Sequence, residues 1–202
     1  MSTRSLTIFI LAHVWLLMAT KSLAQFVIDT SGEPVEDDEE YFIRPAITGN
    51  GGGFTFITGN GPCPLNVGLD NTEGTLGAPV KFIPFASHHD DFNVGLNRDL
   101  RVTFLTSTSC GNSRDWTLGE KDATSGRRLI VTGGDNGAGS QQGNFFRIVQ
   151  TQTSGNYNIQ WCPKEVCPSC NIQCGTVGVI RENGKILLAL DGRALPVVFQ
   201  KE

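Results

Sequence analysis

The chain has 202 residues, of which 24 are Gly and 9 are Pro, and only 18% are charged. That density of helix breakers excludes a bundle of long helices or a helical membrane channel, and the length suits one well-buried core but falls short of two. A net charge of −4 leaves no electrostatic footprint for nucleic acid, whose binders concentrate positive charge on one face, so no nucleic-acid partner is expected.

The first feature in chain order is a leader. Arg4 is followed by a mostly apolar run from Leu6 to Leu17, and Ser22-Leu23-Ala24 puts small residues where a signal peptidase reads. The pattern predicts a signal peptide over residues 1–24 and one domain over residues 25–202. The apolar run is too short to anchor the chain in a membrane, and no later stretch approaches membrane length, so no membrane partner is expected. Cleavage removes Arg4 and Lys21 but no carboxylate, which leaves a more acidic chain in an oxidising, extracellular compartment. No Asn-x-Ser/Thr sequon occurs, so N-glycosylation is not expected.

Beyond the leader, apolar and polar residues alternate with a period of two in Phe54-Thr-Phe56, Val80-Lys-Phe82, Leu100-Arg-Val102-Thr-Phe104, Tyr157-Asn-Ile159-Gln-Trp161 and Val177-Gly-Val179. These are short, half-buried strands. Turn clusters separate them: Thr48 to Gly53, Gly59 to Pro62, Gly133 to Gly139, and Glu182-Asn-Gly184, which can close a tight hairpin. Many short strands with regular turns predict an all-β barrel or sandwich. A faint repeat is visible in Tyr41-Phe-Ile43, Phe145-Phe-Arg-Ile148 and Tyr157-Asn-Ile159, each opening a strand with aromatics followed by isoleucine.

Several stretches that look chemical have simpler readings. The acidic run Glu36 to Glu40 reads as a solvated turn rather than a cation site. His88 and His89, beside Asp90 and Asp91, have the ligand types for a metal ion or a pH response, but solvated loop residues are the plainer expectation, and no metal is assigned. They are also the only histidines left once His13 departs with the leader, and no G-x-S-x-G elbow supplies a serine, so no catalytic residue is expected. The glycine-rich stretch Gly133 to Gly143 lacks the Lys-Ser/Thr of a phosphate cradle and reads as a hairpin loop; no cofactor is expected.

The six cysteines, at 63, 110, 162, 167, 170 and 174, should pair in an oxidising compartment. Many connectivities are possible; proximity most simply nests Cys167–Cys170 inside Cys162–Cys174 and leaves Cys63 and Cys110 to close a long loop. An even count forces no covalent dimer, and a monomer is expected. The spacing of Cys162, Cys167 and Cys170 matches a plant-type iron–sulfur run, and Cys167-Pro-Ser-Cys170 a redox motif. The first wants a reduced compartment and the second a following helix, whereas Gly175-Thr-Val-Gly-Val179 reads as a strand.

Taken together, Phe26-Val-Ile-Asp29 with Gly32 and Pro34, Tyr41-Phe-Ile-Arg-Pro45, Cys63-Pro-Leu, the Leu100-Val102-Phe104 strand before Cys110, Tyr157-Asn-Ile-Gln-Trp-Cys162-Pro163, Cys174-Gly175-x-Val177-Gly178-Val179 and Leu195-Pro-Val-Val-Phe199 resemble the plant Kunitz-type (soybean trypsin inhibitor) family. The order is the family's over residues 25–202, and the four-cysteine cluster looks most like its miraculin-like branch. The resemblance implies a β-trefoil of twelve strands in three pseudo-repeats, with the disulfides Cys63–Cys110, Cys162–Cys174 and Cys167–Cys170. It also implies a protease inhibitor in the apoplast or vacuole, whose partner is a secreted endopeptidase, most simply serine-type. The reactive-site loop then lies between the fourth and fifth strands, over Ser87, His88, His89, Asp90 and Asp91, with Asp37 as its support where inhibitory members usually carry Asn.

That loop departs from a trypsin-directed one. Counting forward from Cys63 puts the scissile bond near Ser87–His88, and counting back from the Leu100 strand puts it near Asp90–Asp91. No Lys or Arg lies between Lys81 and Arg98, while trypsin's primary pocket demands a cation, so trypsin is a poor fit. An ionised Asp37 cannot donate the hydrogen bonds that an Asn amide would. The second reading is accordingly a non-inhibitory defence, storage or recognition protein whose loop has drifted.

Overall fold

The computed structural model describes residues 25–59, 61, 63–86, 92–108, 110, 114–133 and 141–202. Among them thirteen strands follow in chain order: β1 (Tyr41–Pro45), β2 (Phe54–Ile57), β3 (Asn66–Leu69), β4 (Val80–Pro84), β5 (Leu100–Phe104), β6 (Trp116–Lys121), β7 (Arg128–Thr132), β8 (Arg147–Gln150), β9 (Tyr157–Trp161), β10 (Gly175–Glu182), β11 (Lys185–Leu190), β12 (Arg193–Ala194) and β13 (Val197–Lys201). A 3-10 turn, Gln141–Asn144, precedes β8. Every strand expected from the period of two is present, because that period puts alternate side chains on one face of a pleated ribbon and lets half of them leave water.

Six strands close into a barrel. β1 pairs with β4 and β13, β4 with β5, β8 with β9, and β9 with β13. The ring is completed where Leu100 bridges Phe146, whose N–H groups donate to each other's carbonyls at 2.9 and 2.8 Å. The three junctions are equivalent: Tyr41 opposes Val80, Leu100 opposes Phe146, and Tyr157 opposes Val197. Each strand, with Phe146 just before β8, contributes two buried side chains, Tyr41 and Ile43, Val80 and Phe82, Leu100 and Val102, Phe146 and Ile148, Tyr157 and Ile159, Val197 and Phe199, none more than 2% exposed. Burying such a side chain contributes about 1.5–3 kcal/mol, so the filled barrel is the dominant favourable term.

Six of the remaining seven strands cap the barrel as three hairpins, β2–β3, β6–β7 and β10–β11. One strand of each meets the other two, with Asn66 against Val131, Leu129 against Ala189, and Ile186 against Leu69. Trp116 fills the junction of cap and barrel, stacked on Phe54 at 5.7 Å and edge-on to Phe146 at 6.1 Å. The β10–β11 hairpin closes through Asn183 and Gly184, both with positive φ (50° and 75°), which is the conformation an Asn-Gly pair adopts most easily. The fold is a β-trefoil with repeats β1–β4, β5–β8 and β9–β13.

Two details differ from expectation. Among the described residues there are thirteen strands rather than twelve, because Arg193–Ala194 forms a short rung on β10 before the chain turns into β13. The faint repeat is also out of register: Tyr41 and Tyr157 open the equivalent strands β1 and β9, but the third equivalent is Leu100 of β5, and Phe145 precedes the fourth strand of its repeat. Leu100 fills the same slot with no hydroxyl, which hides the symmetry from a search for aromatics.

The two tyrosines differ from leucine for a reason. Residues 25–37 seal one end of the barrel, and there the Tyr157 hydroxyl accepts the Ile28 N–H at 2.8 Å and the Tyr41 hydroxyl accepts the Glu36 N–H at 3.0 Å. Burial pushes the Tyr41 hydroxyl above its ordinary pKa of 10.0 in spite of that bond. Asp29 shapes the same segment, its carboxylate accepting from the Ser31 N–H (2.8 Å), the Ser31 hydroxyl (2.6 Å) and the Glu33 N–H (3.1 Å). Burial pushes the Asp29 pKa up, but the Ser31 hydroxyl and the Glu33, Ser31 and Gly32 N–H groups outweigh it and hold the group below 3.8. A depressed folded-state pKa stabilises above the unfolded value and is lost as pH falls through the folded one, so this contribution is present at neutral pH and disappears below 3.8. Asp29→Asn should therefore destabilise the chain at about pH 6 and narrow its gap to the natural protein at about pH 3, measured by denaturant unfolding. An equal gap at both values would remove Asp29 from the acid limb.

Candidate functional site

The connection from β4 to β5, residues 85–99, joins the first repeat to the second and is much longer than the equivalent β8–β9 turn, residues 151–156. Its neck is closed where the Phe85 N–H donates to the Asp99 carbonyl at 2.8 Å. The C-terminal stem then pairs with the N-terminal segment. The Val27 N–H donates to the Val94 carbonyl at 2.9 Å, the Val94 N–H to the Val35 carbonyl at 2.7 Å, the Leu96 N–H to the Gln25 carbonyl at 2.8 Å, and the Asp37 N–H to the Phe92 carbonyl at 2.8 Å. Val27, Val35 and Val94 are fully buried beneath it. A second clip holds the base of β5, where the Asn97 N–H donates to Ile148 at 2.9 Å and Asn97 takes a positive φ of 61°.

Ser87, His88, His89, Asp90 and Asp91, the candidate reactive-site residues, lie outside the described residues. Their flanks are described, and each carries an exposed aromatic: Phe85 is 47% and Phe92 59% exposed. Phe85 stands edge-on to Phe145 at 5.4 Å, bordering a groove of ≈ 400 Å³ that Ile83, Arg101 and Val166 also line. Asp37, the candidate loop support, is half-buried and meets the C-terminal stem through its backbone N–H.

The two cations that flank residues 82–97 in the sequence are both engaged. The Lys81 ammonium donates to the Asp38 carbonyl at 2.9 Å, and the Arg98 guanidinium pairs with Glu165 at 2.5 Å. Glu36, Asp38 and Glu39 bring carboxylate oxygens within 4.8 Å of one another, but Lys201 pairs with Glu36 at 3.4 Å and with Glu39 at 3.3 Å. The acidic run is thus partly tied to the C-terminal strand rather than wholly solvated.

The geometry has counterparts among known proteins. The model of the Kunitz legume family, described as trypsin and protease inhibitor, matches residues 27–201. The chain belongs to this Kunitz-type inhibitor family. It is 87% identical, over the full length of both chains, to Kunitz type trypsin inhibitor 104 of Medicago truncatula. Miraculin of Synsepalum dulcificum is a more distant relative, 31% identical over 92% of this chain and 87% of its own. Among solved structures, a Kunitz type trypsin inhibitor from Cicer arietinum superimposes with a TM-score of 0.74 at 28% identity, covering 88% of this chain and 99% of that one. The family is one of inhibitors rather than enzymes.

All six cysteines of this Kunitz-type chain are paired, as Cys63–Cys110, Cys162–Cys174 and Cys167–Cys170, the nested arrangement expected. The motif Cys167-Pro-Ser-Cys170 leads into β10 and not into a helix, so no helix N-terminus is there to lower a thiol pKa and the redox reading lacks its device. The residues that sequence reasoning missed are Asp99, Arg147 and Glu165. Asp99 is fully buried, forms an ion pair with Arg147, and accepts the Glu165 and Val166 N–H groups at 2.6 and 2.9 Å. Nothing local marks them, since the partners of Asp99 lie on β8 and in the four-cysteine segment.

Proposed function

We propose that the chain is a secreted inhibitor of serine-type endopeptidases that presents residues 85–92 as a substrate-like loop, with the bond-flanking residue among Ser87, His88, His89 and Asp90. The observation that carries this reading is the fixing of both stems: the neck bond between Phe85 and Asp99 and the pairing of residues 92–96 with the N-terminal segment. A segment ordered before binding loses little entropy on docking, and it stays in place if its bond is cut. The exposed Phe85 and Phe92 add apolar surface on either side of the contact segment. Secretion is supported by the leader pattern of residues 1–24 and by the three disulfides. A monomer suffices, since the proposed contact needs no second copy.

The test is a titration of the oxidised protein against trypsin, chymotrypsin, elastase, subtilisin and a papain-like enzyme, with mass spectrometry of the incubated chain. Stoichiometric inhibition of a serine protease with slow cleavage of one bond between Phe85 and Phe92 is expected. Rapid degradation at the loop, or no inhibition of any of the five, would sink the reading. The trefoil would then be a scaffold for another binding face, as Asp37 and the loop without a cation favour.

A further inference from the structure

Asp99 stands where the neck of the loop meets β8 and the four-cysteine segment, yet the inhibitory reading gives its carboxylate no part. Its carbonyl holds the N-terminal neck through Phe85 at 2.8 Å, and its own N–H is held by the Glu165 carboxylate at 3.1 Å. One carboxylate oxygen takes the Arg147 guanidinium, and the other takes two backbone N–H groups, those of Glu165 and Val166. The side chain is 0% exposed. A charge so placed cannot move without leaving itself or its donors bare in a low-dielectric site, so its position is set by whatever sets the donors.

Two of the three donors lie in a segment held by disulfides, and the third, Arg147, is on β8. Glu165 and Val166 lie between Cys162 and Cys167, inside the segment closed by Cys162–Cys174 and beside Cys167–Cys170. Glu165 reaches back a second time, through its ion pair with Arg98. We propose that Asp99 is the positioning residue of the β4–β5 loop, and that it transfers the order of the four-cysteine segment to the loop's neck. The functional consequence rests on inhibition through that loop, while the structural consequence can be read without it. The four cysteines are then a brace for the loop as well as a staple of the third repeat.

The experiment compares Asp99→Asn with the natural protein and with Ile130→Val, a core truncation in β7 far along the chain from the loop. Asparagine keeps the shape but turns an NH2 group toward donors that need an acceptor. Three quantities are read well below every melting temperature: the rate of nicking between residues 85 and 92 by thermolysin, the inhibition constant for the protease identified above, and the folded fraction. Asp99→Asn should raise both the nicking rate and the inhibition constant by about 10-fold or more, and Cys162→Ser/Cys174→Ser should move them in the same direction. Ile130→Val should lower the melting temperature and leave both alone. The proposal is overturned if Asp99→Asn is nicked no faster than Ile130→Val at equal folded fraction. Should Asp99→Asn not fold, Arg147→Lys, which keeps the charge without the guanidinium geometry, is read against the same control. If the natural protein inhibits nothing, the inhibitory reading fails and the nicking rates alone still decide the role of Asp99.

Discussion

An arginine introduced at one position of residues 87–90 should strengthen trypsin binding by about 100- to 1,000-fold over the natural chain, which is expected to bind trypsin weakly. The primary pocket of trypsin holds a buried carboxylate, and a substrate-like residue without a cation leaves that charge desolvated and unmatched, a loss of about 3–4 kcal/mol. Residues 82–97 contain neither Lys nor Arg, and the flanking cations cannot substitute, because Lys81 is bound to the Asp38 carbonyl and Arg98 to Glu165. The word trypsin in the name of an 87% identical relative does not supply the missing charge. Inhibition constants for Ser87→Arg, His88→Arg, His89→Arg and Asp90→Arg check the expectation. A single responding position would identify the residue before the scissile bond and settle the two counts along the sequence. A flat response at all four would mean that the loop does not enter a protease pocket at all.

The second large effect is on stability. Cys63–Cys110 ties the β2–β3 turn of the first repeat to the connection after β5 in the second, across a sequence separation of 47. On the chain-entropy estimate its removal costs about 4 kcal/mol, against about 3 kcal/mol for Cys162–Cys174 with a separation of 12. For a domain of this size that corresponds to a drop in melting temperature of about 8–16 °C in Cys63→Ser/Cys110→Ser. The strand β5 carries the loop before Leu100 and the bridge after Phe104, so loop and bridge are attached to opposite ends of the same strand. The variant should therefore melt early and still inhibit normally at temperatures where it is folded. Thermal unfolding and inhibition measured on one preparation separate the two. Loss of inhibition in the fully folded variant would show that the bridge supports the loop directly, and a change in melting temperature of under about 3 °C would contradict the entropic account.

These two effects sit on opposite sides of what the sequence could show. The Cys63–Cys110 bridge was legible, because an even set of cysteines with four of them clustered leaves one distant pair. The absence of a cation in residues 82–97 was legible as well, being a plain property of composition. That Lys81 and Arg98 are engaged was not, since the partner of each lies on another element, 43 and 67 residues away. Asp37 was nominated by resemblance alone, and its backbone contact with the C-terminal stem came from the pairing of residues 92–96 with the N-terminal segment.

By itself, the sequence determined the strands, the tight Asn183-Gly184 hairpin, the nested cysteines and the kinship of the chain. Each of these depends on residues that are neighbours in the chain or on a pattern with a fixed period, and local preference is enough to set them. Only the tertiary structure decided how the barrel closes, through Leu100 and Phe146, and how the loop is held, through Asp99, Arg147 and Glu165. Those contacts join residues with no shared periodicity. Their partners are selected by which surfaces the closed barrel brings together, and a buried carboxylate finds its donors only after that closure has removed the water that would otherwise serve it.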